Sequence, residues 1–455
     1  MRKERFSKPA KGTAGKIVPE NGRETALLVL LQIWEEQAYT AIALNRVLRQ
    51  AKLGEADRRF ATELANGAVK ARGTLDFILG RLVNRPLRKL EPVVHYILHL
   101  GLYQIFYLDR IPDSAACNES VNLTKKFSHQ GTDKFVNGVL RSSIRQKEVL
   151  REKIREDVSL RLSHPQWLVQ RWRKQFGEEE TEALCCWDNE PASLCLRVNT
   201  LMTARDALLQ DLREMGCEGE VSLWCPDGIV ITKSPGLPAL LQNFPHSFYV
   251  QDESSMLPAL LLQPKAGEQI LDMCAAPGGK STHIAALMEN KGRVTACDIY
   301  PHKLKLIEEN AQRLKLDNIK TELHDGTVLR EEWIGKFDRV LVDAPCSGLG
   351  VLRRRAEARW AKKEKDLREF PALQQRILEN AGRYVKTGGV LVYSTCTLEE
   401  SENGKQIEIF LQNHGEWKQA GFAHPRSGEV VKELQLYPQR DGVDGFYLTL
   451  LKKEK

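Results

Sequence analysis

The run Asp272-Met-Cys-Ala-Ala-Pro-Gly-Gly-Lys-Ser281 decides the fold of this 455-residue chain. A short apolar segment, the predicted strand 269–274, leads directly into it. Small residues and glycines let a backbone approach a ligand closely, and the helix predicted to begin near Lys280 presents its N-terminus there. A Gly-Gly turn alone is a weak signal, so the fold must be inferred from the segments around it.

Beyond this run, short β-rich segments alternate with helical ones, and the predicted helices begin near Lys280, His302 and Phe370. Such alternation requires right-handed crossovers and a mainly parallel sheet. The segment 433–450, interrupted by two Asp-Gly turns, predicts an antiparallel hairpin that closes the sheet edge. The predicted fold class is a doubly wound, Rossmann-like α/β sheet. Its predicted strands are 269–274, 293–298, 321–325, 339–343 and 390–395.

Acidic residues end three successive predicted strands, at Asp298, Asp325 and Asp343. Ligands of doubly wound sheets bind outside the carboxyl ends of the strands. Asp298 follows the glycines by about 20 residues, where a carboxylate accepts hydrogen bonds from ribose hydroxyls, and Asp325 is placed to reach an adenine edge. Each acid alone could instead be a helix cap or a turn residue. The sequence contains no G-x-G-x-x-G and no P-loop pattern, which disfavours a dinucleotide and a nucleoside triphosphate.

Two cysteines follow the last two predicted strands, Cys346 in Asp343-Ala-Pro-Cys-Ser-Gly348 and Cys396 in Tyr393-Ser-Thr-Cys-Thr397. Such strands are usually neighbours, so the thiols occupy equivalent positions. Methylation of cytosine at C5 requires a nucleophile on C6, and a thiolate is suited to that attack. A carboxylic acid at Asp343 would stabilise negative charge near N3. Spacing does not rank the two thiols, and buried packing is the alternative for each.

Positive charge is concentrated in the N-terminal third of the chain. Residues 1–150 contain 25 Lys and Arg against 15 Asp and Glu, whereas the other 305 residues contain 42 against 45. A basic domain joined to a nearly neutral one suggests a polyanion-binding module beside a catalytic domain, because phosphate contacts release counterions. A lysine-rich surface that is only solvated is the alternative.

Residues 22–150 carry apolar side chains at three-to-four spacing, which predicts a compact all-α domain. Its last segment, 118–141, ends in Phe135-Val-Asn-Gly-Val-Leu-Arg141. Through this run the domain resembles the helical RNA-binding domain of the NusB family. The resemblance implies RNA contacts, although the cations of the segment could instead only solvate a helix. These cations are Lys125, Lys126, Lys134 and Arg141.

Three further regions complete the predicted domain organisation. Residues 1–21 are polar, basic and poor in large apolar side chains, so we expect a flexible arm. Residues 160–240 contain a helical start and short strands separated by glycine-rich turns, which predicts a small α+β module whose residues indicate no chemistry. Residues 241–455 form the predicted catalytic domain.

A basic stretch, 353–368, lies between the two cysteine motifs. It contains eight Lys or Arg against three acids, together with Trp360. This composition would suit an RNA backbone, with the indole available to pack or to stack. A solvated helix is the alternative.

Five ordered motifs carry a second resemblance, to the NOL1/NOP2/Sun family of RNA cytosine-5 methyltransferases. The resemblance implies that Cys396 is the nucleophile and that Cys346 helps to release the product. It also implies S-adenosyl-L-methionine as cofactor, held by Cys274, Ala275, Ala276, Pro277, Gly278, Gly279, Lys280, Asp298, Asp325 and Asp343. The motifs are Gln251-Asp-Glu-Ser-Ser255, 272–280, 343–348, 393–396 and Arg440-Asp-Gly-Val-Asp-Gly-Phe446.

The two resemblances together imply an RNA partner, small-subunit (16S) ribosomal RNA in free or partly assembled form, with position 967 as the target. The target base must be unstacked before C6 can be attacked. The same chemistry on tRNA or on another rRNA site is an alternative. A NusB-like RNA-binding or assembly factor without catalysis is a second one, against which the two thiols and three acids argue.

The remaining composition bears on metals and on location. The ten cysteines form no C-x-x-C pair, and no clustered histidines complete a zinc site, so neither metal nor disulfides are expected. No run approaches the ~18 apolar residues of a membrane helix, and the N-terminus lacks the pattern of a secretory signal. We therefore expect a cytoplasmic protein without a membrane partner. The oligomeric state is not indicated.

Overall fold

The computed structural model describes residues 18–454, which divide into two compact units. The helical unit comprises the described residues up to Asn189 together with Arg354–Lys362. The sheet unit comprises Glu190–Arg353 and the residues from Lys363 onward. Residues 1–17 of the expected arm lie outside the described residues. The domain bounds 22–150, 160–240 and 241–455 remain predictions.

Residues 18–454 form twenty α-helices and fourteen strands, and none of these helices is both long enough and apolar enough to cross a lipid bilayer. The helices are α1 (Gly22–Glu35), α2 (Thr40–Gln50), α3 (Glu55–Lys70), α4 (Arg72–Leu82), α5 (Pro92–Tyr107), α6 (Asp113–Phe127), α7 (Thr132–Arg145), α8 (Lys147–Glu156), α9 (Val158–Arg161), α10 (Gln166–Phe176), α11 (Glu178–Asn189), α12 (Arg205–Glu214), α13 (Leu237–Asn243), α14 (Glu253–Leu262), α15 (Gly279–Leu287), α16 (Pro301–Arg313), α17 (Ala358–Ala361), α18 (Phe370–Tyr384), α19 (Gly404–Asn413) and α20 (Pro438–Asp441). The strands are β1 (Leu194–Val198), β2 (Glu218–Val221), β3 (Gly228–Lys233), β4 (Phe248–Val250), β5 (Gln269–Asp272), β6 (Arg293–Asp298), β7 (Ile319–Leu323), β8 (Phe337–Asp343), β9 (Val385–Thr395), β10 (Trp417–Ala420), β11 (Phe422–Ala423), β12 (Val430–Val431), β13 (Glu433–Leu436) and β14 (Phe446–Lys453).

Helices α1 and α5 form the centre of the helical unit. Helix α1 follows Asn21, whose side chain accepts hydrogen bonds from two N–H groups of the first turn, as N-cap residues do. Helix α5 begins with Pro92, which a first turn tolerates. Both helices are buried along most of their length. Helix α3 can approach α5 closely at Gly67, which has no side chain; a Cβ there would lie 2.0 Å from the Tyr103 ring. The predicted all-α architecture is confirmed.

The segment Arg354–Lys362 packs within the helical unit although its neighbours in the chain belong to the sheet unit. Arg359 is fully buried and donates to the backbone carbonyl of Asp188. The Trp360 ring would lie 2.4 Å from a Cβ placed on Gly73. In the basic stretch that we expected to contact RNA, Arg359 and Trp360 therefore pack against other parts of the protein.

The sheet unit begins with a small α+β module. Its four strands form an antiparallel sheet in the order β2-β3-β1-β4. Leu208 and Leu212, one turn apart on α12, pack with Leu196 of β1 and Phe248 of β4 in a separate apolar core. The α+β prediction for this region is confirmed.

The large sheet has the strand order β10-β14-β9-β8-β5-β6-β7, and β13 also pairs with β14. Strands β5 to β9 are parallel, whereas β14 is antiparallel to its neighbours. Helices α14, α15 and α16 supply one apolar core of this unit, and α18 and α19 supply another. The chain order reverses between β5 and β8, which is where doubly wound sheets bind ligands. The predicted fold class is confirmed.

The observed strands differ from the predicted ones at their ends. Strand β7 ends at Leu323, so Asp325 lies two residues beyond it. Strand β9 begins at Val385 instead of residue 390. Strand β10, Trp417–Ala420, was not predicted, because a four-residue edge strand with two polar residues carries little periodicity.

Candidate active site

The loop after β5 is a glycine-lined turn that leads into α15. Gly278 has a φ of 101°, and a Cβ there would lie 3.2 Å from the backbone of Ile307 on α16. The N–H of Ala275 donates to the carbonyl of Cys297, which ties the loop to β6. Helix α15 begins at Gly279, so N–H groups of its first turn face the loop. This shape fits a ligand that contacts the backbone directly.

The acids after β6 and β7 are oriented by their own loops. Asp298 Oδ1 accepts a hydrogen bond from the N–H of Tyr300 at 3.0 Å. Asp325 is exposed, and its Oδ1 accepts from the hydroxyl and the N–H of Thr327, which lowers the pKa of Asp325. These hydrogen bonds use Oδ1 of each carboxylate. Lys303 Nζ lies 3.8 Å from Asp298 Oδ2, which leaves that oxygen able to accept a hydrogen bond from a sugar as well.

The surroundings of Cys274 favour a positively charged ligand. Burial raises the pKa of this thiol well above its usual value, and the charges of Asp272, Asp343 and Asp298 raise it further. A neutral thiol beside these acids, of which Lys280 balances Asp343, makes a wall that attracts a cation through its remaining negative charge. Together with the glycine turn and the carboxylate after β6, this wall fits a sulfonium cofactor that carries a ribose.

Asp272 lies beneath the glycine turn and is fully buried. Its Oδ2 accepts a hydrogen bond from Ser281 Oγ at 2.7 Å, which joins the end of β5 to the first turn of α15. Burial raises the pKa of Asp272 to about 7, because the charged form is poorly solvated there. This carboxyl therefore titrates near neutral pH.

Lys280 points from α15 to the end of β8. Its Nζ lies 2.6 Å from Asp343 Oδ2, and Ser394 Oγ donates to Asp343 Oδ1 at 2.9 Å. Burial acts to lower the pKa of Lys280, but the charge of Asp343, the hydrogen bond between them and the charge of Cys396 together raise it. Lys280 is therefore an ammonium, and it also interacts electrostatically with Cys396.

The two predicted thiols meet at the ends of β8 and β9. Cys346 Sγ and Cys396 Sγ are 3.4 Å apart, and both residues are partly exposed. The hydrogen bond with Cys396 and burial raise the pKa of Cys346 well above its usual value. A proton held on Cys346 can be donated to the sulfur of Cys396. The two thiols are therefore coupled, and either sulfur can donate to the other.

A buried carboxylate supports the Cys346 loop, and the sequence did not indicate it. Glu402 Oε2 accepts hydrogen bonds from the N–H of Ser347 at 2.8 Å and from Gln374 Nε2 at 2.9 Å. Burial raises the pKa of Glu402. In the sequence Glu402 lies in a polar segment after Cys396, and such a segment is more simply interpreted as an exposed turn.

The structure therefore assembles four of the predicted site residues into one cluster, and the two remaining acids lie on neighbouring loops. The ion pair and the sulfur pair occupy the ends of β8 and β9. Asp298 and Asp325 follow β6 and β7, on the other side of β5. The clustered residues are Lys280, Asp343, Cys346 and Cys396.

Two histidines and an aspartate cluster in the helical unit, and the expectation that the protein holds no metal stays a prediction. His95 and His99 are one turn apart on α5, and each Nε2 lies 2.8 Å from Asp76 Oδ1. Arg72 Nε lies 3.7 Å from the other carboxylate oxygen. The imidazoles and the guanidinium thus satisfy the carboxylate within the protein. The four-residue spacing of the histidines on a helix was the signal that the sequence offered.

The fold and this strand edge define a class, the S-adenosylmethionine-dependent methyltransferases. Family models then match three segments: "16S rRNA methyltransferase RsmB/F" over residues 259–452, "NusB family" over 20–145, and an RsmF/B-like ferredoxin-like domain over 164–236. The chain belongs to the RsmB/F family of 16S rRNA methyltransferases. Both expected resemblances are confirmed, as is an RNA methyltransferase activity that uses S-adenosylmethionine.

Relatives match the chain over nearly its whole length. The probable ribosomal RNA small subunit methyltransferase B of Bacillus subtilis is 39% identical over 443 residues, which are 95% of this chain and 98% of the relative. The crystal structure of PH0851 is 25% identical, covers 97% of this chain and 100% of its own, and has a TM-score of 0.83. The structure of NSun6 from Pyrococcus horikoshii with SFG is 26% identical, covers 64% and 98%, and has a TM-score of 0.56.

Proposed function

We propose that this enzyme methylates C5 of a cytosine in 16S rRNA through a covalent bond between Cys396 Sγ and C6 of the base. The observation that carries the proposal is the pair of sulfur atoms 3.4 Å apart, at the ends of adjacent strands and beside the Lys280–Asp343 ion pair. Methylation of a ring nitrogen or a ribose hydroxyl needs no thiol, because those atoms are nucleophiles themselves. Carbon 5 needs one.

Cys396 is the better nucleophile of the two thiols. The pKa of Cys346 is raised well above its usual value, so we assign the proton of the 3.4 Å sulfur–sulfur contact to Cys346 and the negative charge to Cys396. The charge of Cys396 raises the pKa of Lys280, and the same attraction stabilises the thiolate in return. A thiolate with a nearby ammonium is the reactive form of a catalytic cysteine.

Asp343 stabilises the ring during attack. Bond formation at C6 moves electrons toward N3 of the base, and a proton delivered to N3 neutralises them. In the free protein Asp343 accepts hydrogen bonds from both Lys280 and Ser394, so it is a carboxylate. To act as an acid its carboxyl group takes a proton from solvent and passes it to N3, while the Lys280 ammonium, 2.6 Å away, keeps its own proton.

S-adenosylmethionine supplies an electrophilic methyl group when it is bound. Asp298 would accept hydrogen bonds from the ribose hydroxyls, and Asp325 would accept one from the adenine edge. The glycine turn would contact the cofactor through its backbone, and the acids around Cys274 favour its positive charge. The residues proposed to hold the cofactor are Cys274, Ala275, Ala276, Pro277, Gly278, Gly279, Lys280, Asp298, Asp325 and Asp343.

Cys346 releases the product. Once Cys396 Sγ is bonded to carbon it no longer holds the proton on Cys346, so the pKa of Cys346 falls and its thiolate can form. That thiolate, formed when Cys346 gives its proton to solvent, removes the C5 proton. The electrons of the broken C–H bond restore the C5–C6 double bond, Cys396 leaves as a thiolate, and N3 returns its proton to Asp343.

A groove on the helical unit offers a surface for the RNA backbone. Its lining includes Arg85, Lys134, Phe135 and Arg145, and the Arg85 guanidinium lies 4.7 Å from the centre of the Phe135 ring. Exposed cations around an aromatic ring suit phosphate and base contacts. Lys126, another predicted RNA contact, instead forms ion pairs with two glutamates, so it offers less free charge.

The proposed target is position 967 of 16S rRNA, free or partly assembled, in the cytoplasm. Its support is the likeness to small-subunit methyltransferases over nearly the whole chain. Mapping methylcytosine in rRNA and tRNA from a deletion strain tests this assignment. Loss of the mark at this position alone supports it, whereas loss in tRNA or at another rRNA site contradicts it.

The test of the mechanism compares Cys396→Ala with Cys346→Ala, using labelled S-adenosylmethionine and unmodified 16S rRNA. We expect Cys396→Ala to lower methyl transfer by at least about 10⁴-fold while the cofactor still binds. We expect Cys346→Ala to form a protein–RNA adduct that persists in denaturant. Cys186→Ser, at an exposed cysteine of α11, is the control and should retain activity. Normal methyl transfer by Cys396→Ala would exclude this mechanism.

A further inference from the structure

The small α+β module contains a buried arginine that contacts the proposed cofactor loop. Arg197 lies on β1 and is only 2% exposed. Burial lowers its pKa to about 10, so it remains a cation at neutral pH. Within residues 18–454 no carboxylate lies within ion-pair distance of it. A buried cation without a carboxylate is costly, unless other acceptors satisfy it.

The acceptors of Arg197 belong to the first turn of α15 and to the segment before α14. Its Nη1 donates to the backbone carbonyl of Gly279 and to Gln251 Oε1, and its Nη2 donates to Thr282 Oγ1 at 2.9 Å. The guanidinium also lies 5.1 Å from the centre of the Tyr249 ring. The planar fork of an arginine spreads its donors over three nitrogens, so it reaches acceptors on separate segments that the single nitrogen of an ammonium reaches less well.

The residue directly after β1 holds the loop from a second side. Asn199 Nδ2 donates to the carbonyl of Leu314, directly after α16, at 3.0 Å. Helix α16 in turn contacts the loop, because Asn310 Nδ2 donates to the carbonyl of Pro277 at 3.0 Å. The turn at Pro277–Gly279 is therefore held between two helices, one contacted by β1 and the other by the residue that follows β1.

We infer that Arg197 is a positioning residue for the cofactor: it holds the first turn of α15, so that the affinity for S-adenosylmethionine depends on the small module. The inference rests on the proposed assignment of the 274–280 loop to the cofactor. Gly279 is the first residue of α15, and Lys280 next to it forms the ion pair with Asp343. A displaced first turn would therefore move both the N–H groups of the helix and this ammonium.

The test measures binding of labelled S-adenosylmethionine by equilibrium dialysis, with the full chain. We expect Arg197→Met to raise the Kd at least about tenfold, and Arg197→Lys to restore part of the affinity. Thr282→Val, which removes one acceptor, should raise it about threefold. The affinity for 16S rRNA should stay unchanged in all three variants. Thermal midpoints show whether each variant is folded.

Arg359→Met is the matched control. Arg359 is equally buried and also donates to backbone carbonyls, but it lies in the helical unit. We expect its loss to lower the thermal midpoint and to leave the cofactor Kd unchanged. An equal rise in Kd for Arg359→Met and Arg197→Met would show a general effect of buried-arginine loss and would overturn the inference.

Two results separate this inference from the assignment of the cofactor site. If Asp298→Ala weakens cofactor binding while folded Arg197→Met binds normally, the inference alone is wrong. If neither variant weakens binding, the assignment of the site is wrong as well. Should Arg197→Met fail to fold, Arg197→Lys and Thr282→Val decide, and a wild-type Kd in both overturns the inference.

Discussion

The carboxyl edge of the large sheet has two halves that are built differently. In the cofactor half, at the ends of β6 and β7, Asp298 and Asp325 accept hydrogen bonds from residues two positions ahead in the chain. In the thiol half, at the ends of β8 and β9, the contacts join distant positions. Lys280 and Asp343 are 63 residues apart, and Cys346 and Cys396 are 50 apart.

The difference concerns what each half needs in order to form. A carboxylate that is oriented by residues of its own loop keeps its geometry as soon as that strand end has formed. The thiol pair and the ion pair exist only when β5, β8 and β9 have come together. The cofactor half should therefore tolerate single changes as a set of independent contacts, whereas the thiol half should respond as one coupled group.

Among the changes that compare the two halves, the largest effect is expected for Lys280→Met, which tests to which half Lys280 belongs. Removal of the ammonium leaves the Asp343 carboxylate without its partner and the Cys396 thiolate without its nearby cation. We expect kcat to fall about 10² to 10³-fold, more than the cofactor Kd rises. Single-turnover methylation and equilibrium dialysis measure the two quantities. Lys291→Met, at an exposed lysine, is the control. If the Kd for S-adenosylmethionine changes more than kcat, Lys280 acts mainly on cofactor binding and belongs to the cofactor half.

Asp298→Ala should have the next largest effect, confined to the cofactor half. Loss of an acceptor for the ribose hydroxyls should raise the Kd for S-adenosylmethionine about 10 to 100-fold, with kcat nearly unchanged at saturation. Dialysis and initial rates measure this, and Glu309→Ala on the exposed surface of α16 is the control. A large fall in kcat at saturating cofactor would show that the halves are coupled.

Asp272 lies between the halves and should make the stability of the protein depend on pH. Its pKa is about 7 in the folded protein, above its usual value, so the folded state binds the proton more tightly. Its contribution is present below about pH 4 and is lost as pH rises toward 7, by at most about 1.4 kcal/mol per pH unit. Asp272→Asn should remove this dependence. The free energy of unfolding from pH 4.5 to 7.5 measures it, and identical slopes in both proteins would contradict the prediction.

The smallest effect is expected for Asp325→Ala. The residue is exposed, so water competes with any hydrogen bond that it makes to the cofactor. We expect the cofactor Kd to rise about threefold. Asp325→Asn keeps an acceptor for Thr327 and removes only the negative charge. It therefore distinguishes the effect of the charge from the effect of a reoriented loop. An effect as large as that of Asp298→Ala would show that the bound state buries Asp325.

Much of the fold could be predicted because its signals are local. The glycine turn, the end of β6 at Asp298 and the starts of α15 and α16 follow from short-range periodicity and turn residues. Strand β10 could not be predicted, because its position depends on pairing with β14. Trp360 was assigned to a possible RNA surface, since the sequence could not show that Gly73 makes room for its ring.

The sequence by itself determined the fold class, the order of strand-end residues and the presence of two thiols at equivalent positions. It determined these because strands, turns and motif residues are specified by neighbours within a few positions. Only the tertiary structure decided that the two sulfurs lie 3.4 Å apart, that Lys280 faces Asp343, and that Arg197 on an ordinary strand reaches α15. Burial and contacts between distant residues set these charges, and neither exists until the sheet has formed.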